Sequence, residues 1–159
     1  MSCPTSENLS SLCKAKILLV GFGKMGKALC EGWQKNFSIT VIDPHPSQPP
    51  QQGIDFFNDP ASLKSDYRPD AIILAVKPQS FAEGLPQYKK FTQDSTLFIS
   101  IAAGKTVVSI EEILGTPSPV VRAMPNLAAL IQQSMTVGFA NSSCTREQKN
   151  IAEKALSAI

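Results

Sequence analysis

Gly21-Phe22-Gly23-Lys24-Met25-Gly26 reads G-x-G-x-x-G, and what flanks it constrains the fold more than any other feature of the chain. Before it runs Lys16-Ile17-Leu18-Leu19-Val20, a short apolar stretch of the kind found in strands covered on both faces. After it, Met25, Ala28, Leu29 and Trp33 recur at helical spacing, which predicts an amphipathic helix over residues 24 to 36. A glycine-rich turn between a buried strand and a helix has three physical uses. Gly21 permits the tight turn, Gly23 lets backbone approach a pyrophosphate, and Gly26 lets the helix pack closely on the sheet. The phosphates would rest on the unpaired amides and positive end of that helix. A glycine turn that holds no ligand is the alternative reading of the same residues.

The rest of the chain repeats the pattern. A second strand, Ile39 to Asp43, stops at Pro44-His45-Pro46. Ala71 to Val76 is a third, followed by a helical stretch of about 79 to 91. Thr96 to Ala102 reads as a strand, Thr106 to Leu114 as a short helix closed by Gly115, and Val120 to Met124 and Met135 to Ala140 as further strands. Thr145 and Gln148 form a capping-box pair ahead of a last helix carrying Ile151, Ala152, Ala155, Leu156 and Ile159. Strands alternating with helices predict an α/β domain of the Rossmann type, doubly wound, with a mostly parallel sheet and helices on both faces. Residues 1 to 14 read as a flexible N-terminal tail and 15 to 159 as one domain, which is what 159 residues accommodate. The last helix stops at Ile159 without a glycine cap, so a longer parent chain is expected.

Several functions are not expected. The net charge of +2 comes without a basic block, so no nucleic-acid partner is implied. No apolar run reaches the roughly 20 residues of a membrane span, and the polar start of the chain is unlike a signal peptide. A cytoplasmic location follows as the expectation. The cysteines at 3, 13, 30 and 144 form no C-x-x-C pair and His45 is the sole histidine, so free thiols and no metal site are expected.

Other residues are candidates for dinucleotide contacts. Asp43 closes the second strand, where an acidic side chain accepts hydrogen bonds from an adenosine ribose. No Arg or Lys lies between Asp43 and Lys64 to meet a 2′-phosphate, so the local chemistry leans to NADH over NADPH. Asp43 could equally be a turn-forming residue before Pro44. Lys77 and Pro78 follow the third strand at its carboxyl end, where open α/β sheets place ligands. The Lys77 ammonium could reach phosphate or ribose, or stand solvated beside the next helix. Ala102-Ala103-Gly104 would let a flat nicotinamide lie against backbone, or would mark only a tight turn.

GFGKMGKA, AVKPQ, ISIAAG and RAMPN, in this order and spacing, resemble pyrroline-5-carboxylate reductase across essentially the whole domain. The resemblance implies an oxidoreductase of proline biosynthesis that reduces 1-pyrroline-5-carboxylate to proline with hydride from NADPH or NADH. It implies cofactor contacts at Val20, Gly21, Phe22, Gly23, Lys24 and Met25, with Gly26 packing behind them, and at Asp43. It extends them to Ala75, Val76, Lys77 and Pro78, to Ala102, Ala103 and Gly104, and to Asn126 beside the nicotinamide. No catalytic residue is nominated, since His45 belongs to the adenosine side.

The chain departs from that family in three ways. Leu127 and Ala128 follow Asn126 where the family commonly has Thr-Pro. Pro60, after Asn58 and Asp59, stands about where the family often has an asparagine near the adenosine. The helical C-terminal domain, which in the family carries the substrate loop and forms the dimer, is absent. The chain is thus expected to be an excised piece or a truncated product, weak or inactive alone, and a full-length form to be a homo-oligomer. A related reductase of another imine or keto substrate and a non-catalytic dinucleotide-binding module remain the alternatives.

Overall fold

In the computed structural model of the chain, residues 14–46 and 52–159 are described. The expected tail, apart from Lys14, lies outside them, as do Cys3 and Cys13. The strands are β1 (Lys16–Val20), β2 (Ser38–Ile42), β3 (Asp55–Phe57), β4 (Ala71–Leu74), β5 (Leu97–Ser100), β6 (Val120–Met124) and β7 (Val137–Ala140). They form one sheet in the order β3-β2-β1-β4-β5-β6-β7. Every neighbouring pair is parallel except β6 and β7, which run antiparallel. This is the doubly wound, mostly parallel α/β architecture expected, with its reversal of strand order between β1 and β4.

Alternation along the strands divides the core between two faces. Ile17, Leu19, Val41, Ile73, Ile99 and Val121 meet α1 (Lys24–Trp33) and α4 (Arg146–Leu156) on one side. Leu18, Ile42, Ile72, Leu74, Phe98 and Val120 meet Phe81, Tyr88, Phe91, Ile110 and Leu114 on the other. Those partners come from α2 (Phe81–Gly84), the 3-10 segment Leu85–Asp94 and α3 (Val107–Leu114). Because both faces are covered, the four residues after Lys16 in β1 are all buried. That is why its apolar run is continuous rather than alternating.

Where the elements differ from expectation, a local cause is visible. The first helix ends at Trp33, not at 36, because the amides of Asn36 and Phe37 both turn back to the Trp33 carbonyl at 2.9 and 3.0 Å. That turn brings Phe37 edge-on to Trp33, with ring centroids 6.3 Å apart. The stretch at 79 to 91 holds only the single α-turn of α2 between 3-10 segments Pro78–Ser80 and Leu85–Asp94. Pro86, with no amide hydrogen, cannot continue an α-ladder there. Ala75 and Val76 lie beyond β4, and β3 was not anticipated. The short helix before Gly115 is as expected, with Thr106 and Ser109 in a reciprocal cap and Gly115 in the left-handed region at φ 75°.

The last helix has the expected capping box, in which the Thr145 amide donates to Gln148 Oε1 at 2.8 Å. Gln148 Nε2 also donates to the Ser95 carbonyl at 2.7 Å, tying α4 to the approach of β5. Trp33 Nε1 donates to the Ala155 carbonyl at 2.7 Å, joining the first helix to the last. That helix ends at Leu156, short of the expected Ile159, and the stretch after it comes so close to α1 that a Cβ on Gly32 would overlap the Ala158 carbonyl oxygen.

Candidate functional site

Parallel strands deliver their carboxyl ends to one edge of the sheet, and the candidate residues collect there. Gly21 to Met25 follow β1, Asp43 follows β2, Ala75 to Pro78 follow β4, Ala102 to Gly104 follow β5, and Asn126 follows β6. Adjacent strands lie ~4.8 Å apart, so the crest from β2 to β6 is about 19 Å across. It faces the crevice between β1 and β4, the place where open sheets of this kind bind ligands.

The glycine loop is fixed by its own backbone. The Gly21 amide donates to the Ile42 carbonyl and the Ala75 amide to the Val20 carbonyl, both at 2.8 Å, so the loops after β1 and β4 continue the ladder. Gly21 has φ 97°, and a Cβ there would stand 2.7 Å from the Ala75 oxygen. A Cβ on Gly26 would overlap the Gly21 oxygen, which is the close packing of helix on sheet that the third glycine allows. Gly23 differs from both: it is exposed, with nothing within 4 Å of an added Cβ. No side chain caps α1, so its first-turn amides point toward the crest at the positive helix end. An open second glycine before an uncapped helix fits the pyrophosphate of a dinucleotide.

Two of the expected contacts around the glycine loop have buried side chains. Val20 and Phe22 are 7% and 2% exposed, so only their backbone is on offer at the loop. The Phe22 ring packs edge-on to Phe56 with centroids 5.7 Å apart. Its amide donates to Asp43 Oδ2 at 2.6 Å. The other carboxylate oxygen, Oδ1, accepts from the His45 amide at 2.8 Å, which makes the Asx turn before Pro46. Asp43 therefore both forms the turn and braces the glycine loop. Each oxygen keeps a lone-pair position for a further donor such as a ribose hydroxyl.

Lys77 and Pro78 are exposed at the end of the β4 loop, and the Lys77 carbonyl caps a 3-10 turn by accepting from the Ser80 amide at 3.0 Å. Ala102 is buried, while Ala103 and Gly104 are exposed, with Gly104 at φ 72° and open space around it. Asn126 Oδ1 accepts from the Ala128 amide at 3.0 Å and so starts the 3-10 segment Leu127–Ile131, which packs on α1. A proline at 128 would lack that amide, so the Leu-Ala departure from the family pattern fits the local hydrogen bonding. Asp59, before Pro60, caps its own short turn by accepting from the Ala61 amide at 2.7 Å.

Residues not singled out from the sequence also stand near the crest. Arg122, on β6 beside Ser100 of β5, has a buried Nε with no hydrogen-bond partner. Lys105 Nζ sits 5.5 Å from the centre of the Phe81 ring. Arg122 lay inside the quoted R-A-M-P-N motif, so its position, though not its burial, was legible. Among the described residues, no three His, Cys, Asp or Glu side chains cluster as metal ligands. No helix among them is long and apolar enough to cross a membrane.

The model of a family described as "NADP oxidoreductase coenzyme F420-dependent" matches residues 16–104. Pyrroline-5-carboxylate reductase of Pseudomonas aeruginosa is 31% identical over 150 residues, covering 91% of this chain and 55% of its own length. The solved structure of a pyrroline-5-carboxylate reductase from Coxiella burnetii superposes with a TM-score of 0.83 at 28% identity, over 92% of this chain and 57% of that one. The pyrroline carboxylate reductase of Plasmodium falciparum, described with NADP bound, shares the fold with a TM-score of 0.72 at 21% identity, over 91% and 55% of the two chains. The chain thus spans about half the length of the relatives it matches.

Proposed function

The chain belongs to the family described as "NADP oxidoreductase coenzyme F420-dependent", and from that premise we propose that it is the dinucleotide-binding half of a pyrroline-5-carboxylate reductase. The observation that carries the reading is the glycine loop. Gly21 and Gly26 are required by contacts inside the fold, whereas Gly23 is open and stands before an uncapped helix. A bound nicotinamide dinucleotide supplies the hydride for reducing the cyclic imine to proline. This chain's part is positioning. The amides of Lys24 and Met25 hold the pyrophosphate, Asp43 receives the adenosine ribose, and Ala102 to Gly104 leave a flat surface for the nicotinamide. Asn126 closes that end of the crest, with Lys77 beside the β4 loop. Orientation of this kind contributes roughly 7 to 11 kcal/mol in well-aligned reactions, and only when both partners are held. Because the relatives are nearly twice as long, turnover by this chain alone is expected to be slow or nil.

The cofactor preference we assign is NADH. Asp43 presents a carboxylate where a 2′-phosphate would sit, and the sequence offers no Arg or Lys from residue 44 to 63. The names of the matched family and of the Plasmodium neighbour point instead to NADP. Calorimetric titration of the purified chain with NADH and NADPH decides between them. Tighter NADH binding supports the Asp43 argument, and tighter NADPH binding discards it while keeping the site. Binding of neither, with the fold intact by circular dichroism, overturns the reading. Proline formation by this chain at the rate of a full-length relative would overturn its assignment as half an enzyme. A screen of other imines and keto acids, with the relative's second half supplied, tests the substrate.

A further inference from the structure

His45 is the sole histidine of the chain and stands two residues after Asp43, the carboxylate that receives the adenosine ribose. The turn fixes it there. Its amide donates to Asp43 Oδ1 at 2.8 Å, so its Cα, one bond of ~1.46 Å further on, lies within ~4.3 Å of that oxygen. Pro44 and Pro46 on either side hold the backbone to a narrow range. Asp43 is itself tied to the glycine loop by the Phe22 amide. The imidazole is exposed and forms no ion pair among the described residues.

The two dinucleotides that share such a ribose site differ in one group. NADP carries a phosphate on the 2′ oxygen, and a phosphate monoester is close to a dianion at neutral pH. Sites built for it offer an arginine near the strand-end position, whereas here the next Arg or Lys along the chain is Lys64. His45 is the one side chain of that stretch that can carry positive charge, and imidazole gains or loses its charge between about pH 5 and 8. On the elements beside the turn, Lys24 and Lys27 lie in the first turn of α1, with Lys27 beside Glu31. Asp59 follows β3 and accepts from the Ala61 amide at 2.7 Å. Ammonium and carboxylate side chains ordinarily keep their charge across that range, so a change within it falls to the imidazole.

We propose that His45 is the specificity-determining contact for the 2′-phosphate, admitting NADP when its imidazole is protonated and leaving the site to NAD when it is neutral. The inference rests on the dinucleotide reading above. In the protonated ring both nitrogens donate, so a phosphate beside Asp43 gains a charge-assisted hydrogen bond that offsets the carboxylate. Such a bond is worth about tenfold or more in affinity. With a neutral ring the phosphate meets the Asp43 carboxylate uncompensated, and the ribose hydroxyls of NAD suit the site better. Linkage gives the direction. A ligand that prefers the imidazolium binds more tightly as the pH falls, and it takes up a proton as it binds. The NADH preference assigned above is the behaviour of the site with a neutral imidazole.

The test is calorimetric titration of the full chain with NADP+ and NAD+ between about pH 8 and about pH 6. The oxidised forms carry the same adenosine end and withstand mild acid. The ratio of NADP+ to NAD+ affinity is expected to rise about tenfold over that range. Proton uptake, read from buffers of different ionisation enthalpy, accompanies NADP+ and not NAD+. His45→Gln abolishes both the rise and the uptake, and His45→Arg gives a high ratio at every pH. A rise or uptake that survives in His45→Gln overturns the proposal, because the proton then sits on the phosphate, which itself titrates near about pH 6. So does His45→Arg without a raised ratio. NAD+ bound with a flat ratio in the parent overturns this inference alone. Binding of neither dinucleotide at any pH, in a folded chain, overturns the dinucleotide reading and this inference with it.

Discussion

Phe22 and Asp43 stand 21 residues apart in sequence, and the amide of one is held by the carboxylate of the other at 2.6 Å. The bond joins the glycine loop after β1 to the turn after β2, and the Phe22 ring beneath it is anchored on Phe56. An acceptor that is charged and partly buried makes a strong bond, worth about 1.5 to 3 kcal/mol. Asp43→Ala is therefore expected to lower thermal stability by about that amount and to weaken dinucleotide binding as well. Asp43→Asn, which keeps one acceptor oxygen, falls between. Unchanged melting of Asp43→Ala in calorimetry would mean that the brace carries no load.

The glycines separate structure from binding. Gly26→Ala drives a methyl into the Gly21 carbonyl, and overpacking against rigid backbone costs about 1 to 3 kcal/mol or more. Gly23→Ala meets nothing within 4 Å and has φ −78°, which alanine adopts freely. It is expected to melt within about 1 kcal/mol of the parent and yet to bind dinucleotide at least tenfold more weakly. Equal binding by Gly23→Ala and the parent would remove the close-approach argument.

Trp33→Phe keeps an aromatic ring in the core but removes the indole donor and leaves a gap. The loss of a buried hydrogen bond with its partner left behind is about 1 to 3 kcal/mol. Denaturant unfolding at neutral pH, with an unchanged m-value, is the measurement that checks this.

Burial, helped by the charge of Glu31, pushes the Cys30 thiol from its ordinary 9.0 up to about 12. The native state thus holds this proton more tightly than the unfolded chain does. Its contribution to stability is complete below about pH 9 and is lost as the pH climbs toward 12. Cys30→Ala should flatten part of that alkaline fall. In the folded parent at pH 8, Cys30 should resist a thiol reagent that labels it at once after denaturation. Rapid native labelling of Cys30, located by mass spectrometry, would contradict this.

The sequence revealed the sheet and the glycine loop because both depend on local chemistry. A buried parallel strand must be apolar on both faces, and the loop needs glycine at fixed offsets. Asp43 was legible as a strand-end carboxylate, but its bond to Phe22 was not, since nothing local marks a partner 21 residues away. The Asp55–Phe57 strand escaped notice because three residues carry no periodicity. The 3-10 character of residues 85–94 follows from Pro86, whose missing amide hydrogen interrupts an otherwise helical spacing. The antiparallel direction of β7 follows from the chain's return through the turn at 127–131, which no side-chain pattern encodes.

The Trp33 indole finds its acceptor at Ala155, on the opposite end of the domain's chain. As the polypeptide leaves the ribosome, the first strand–helix–strand unit emerges early with that donor unmet. Its helix also lacks the neighbour that Gly32 is shaped to admit. Both contacts reach residues 155 to 158, so the helix that opens the nucleotide site is completed by the far end of the domain, and a chain cut before residue 155 would lose the indole's acceptor and the stretch that Gly32 admits.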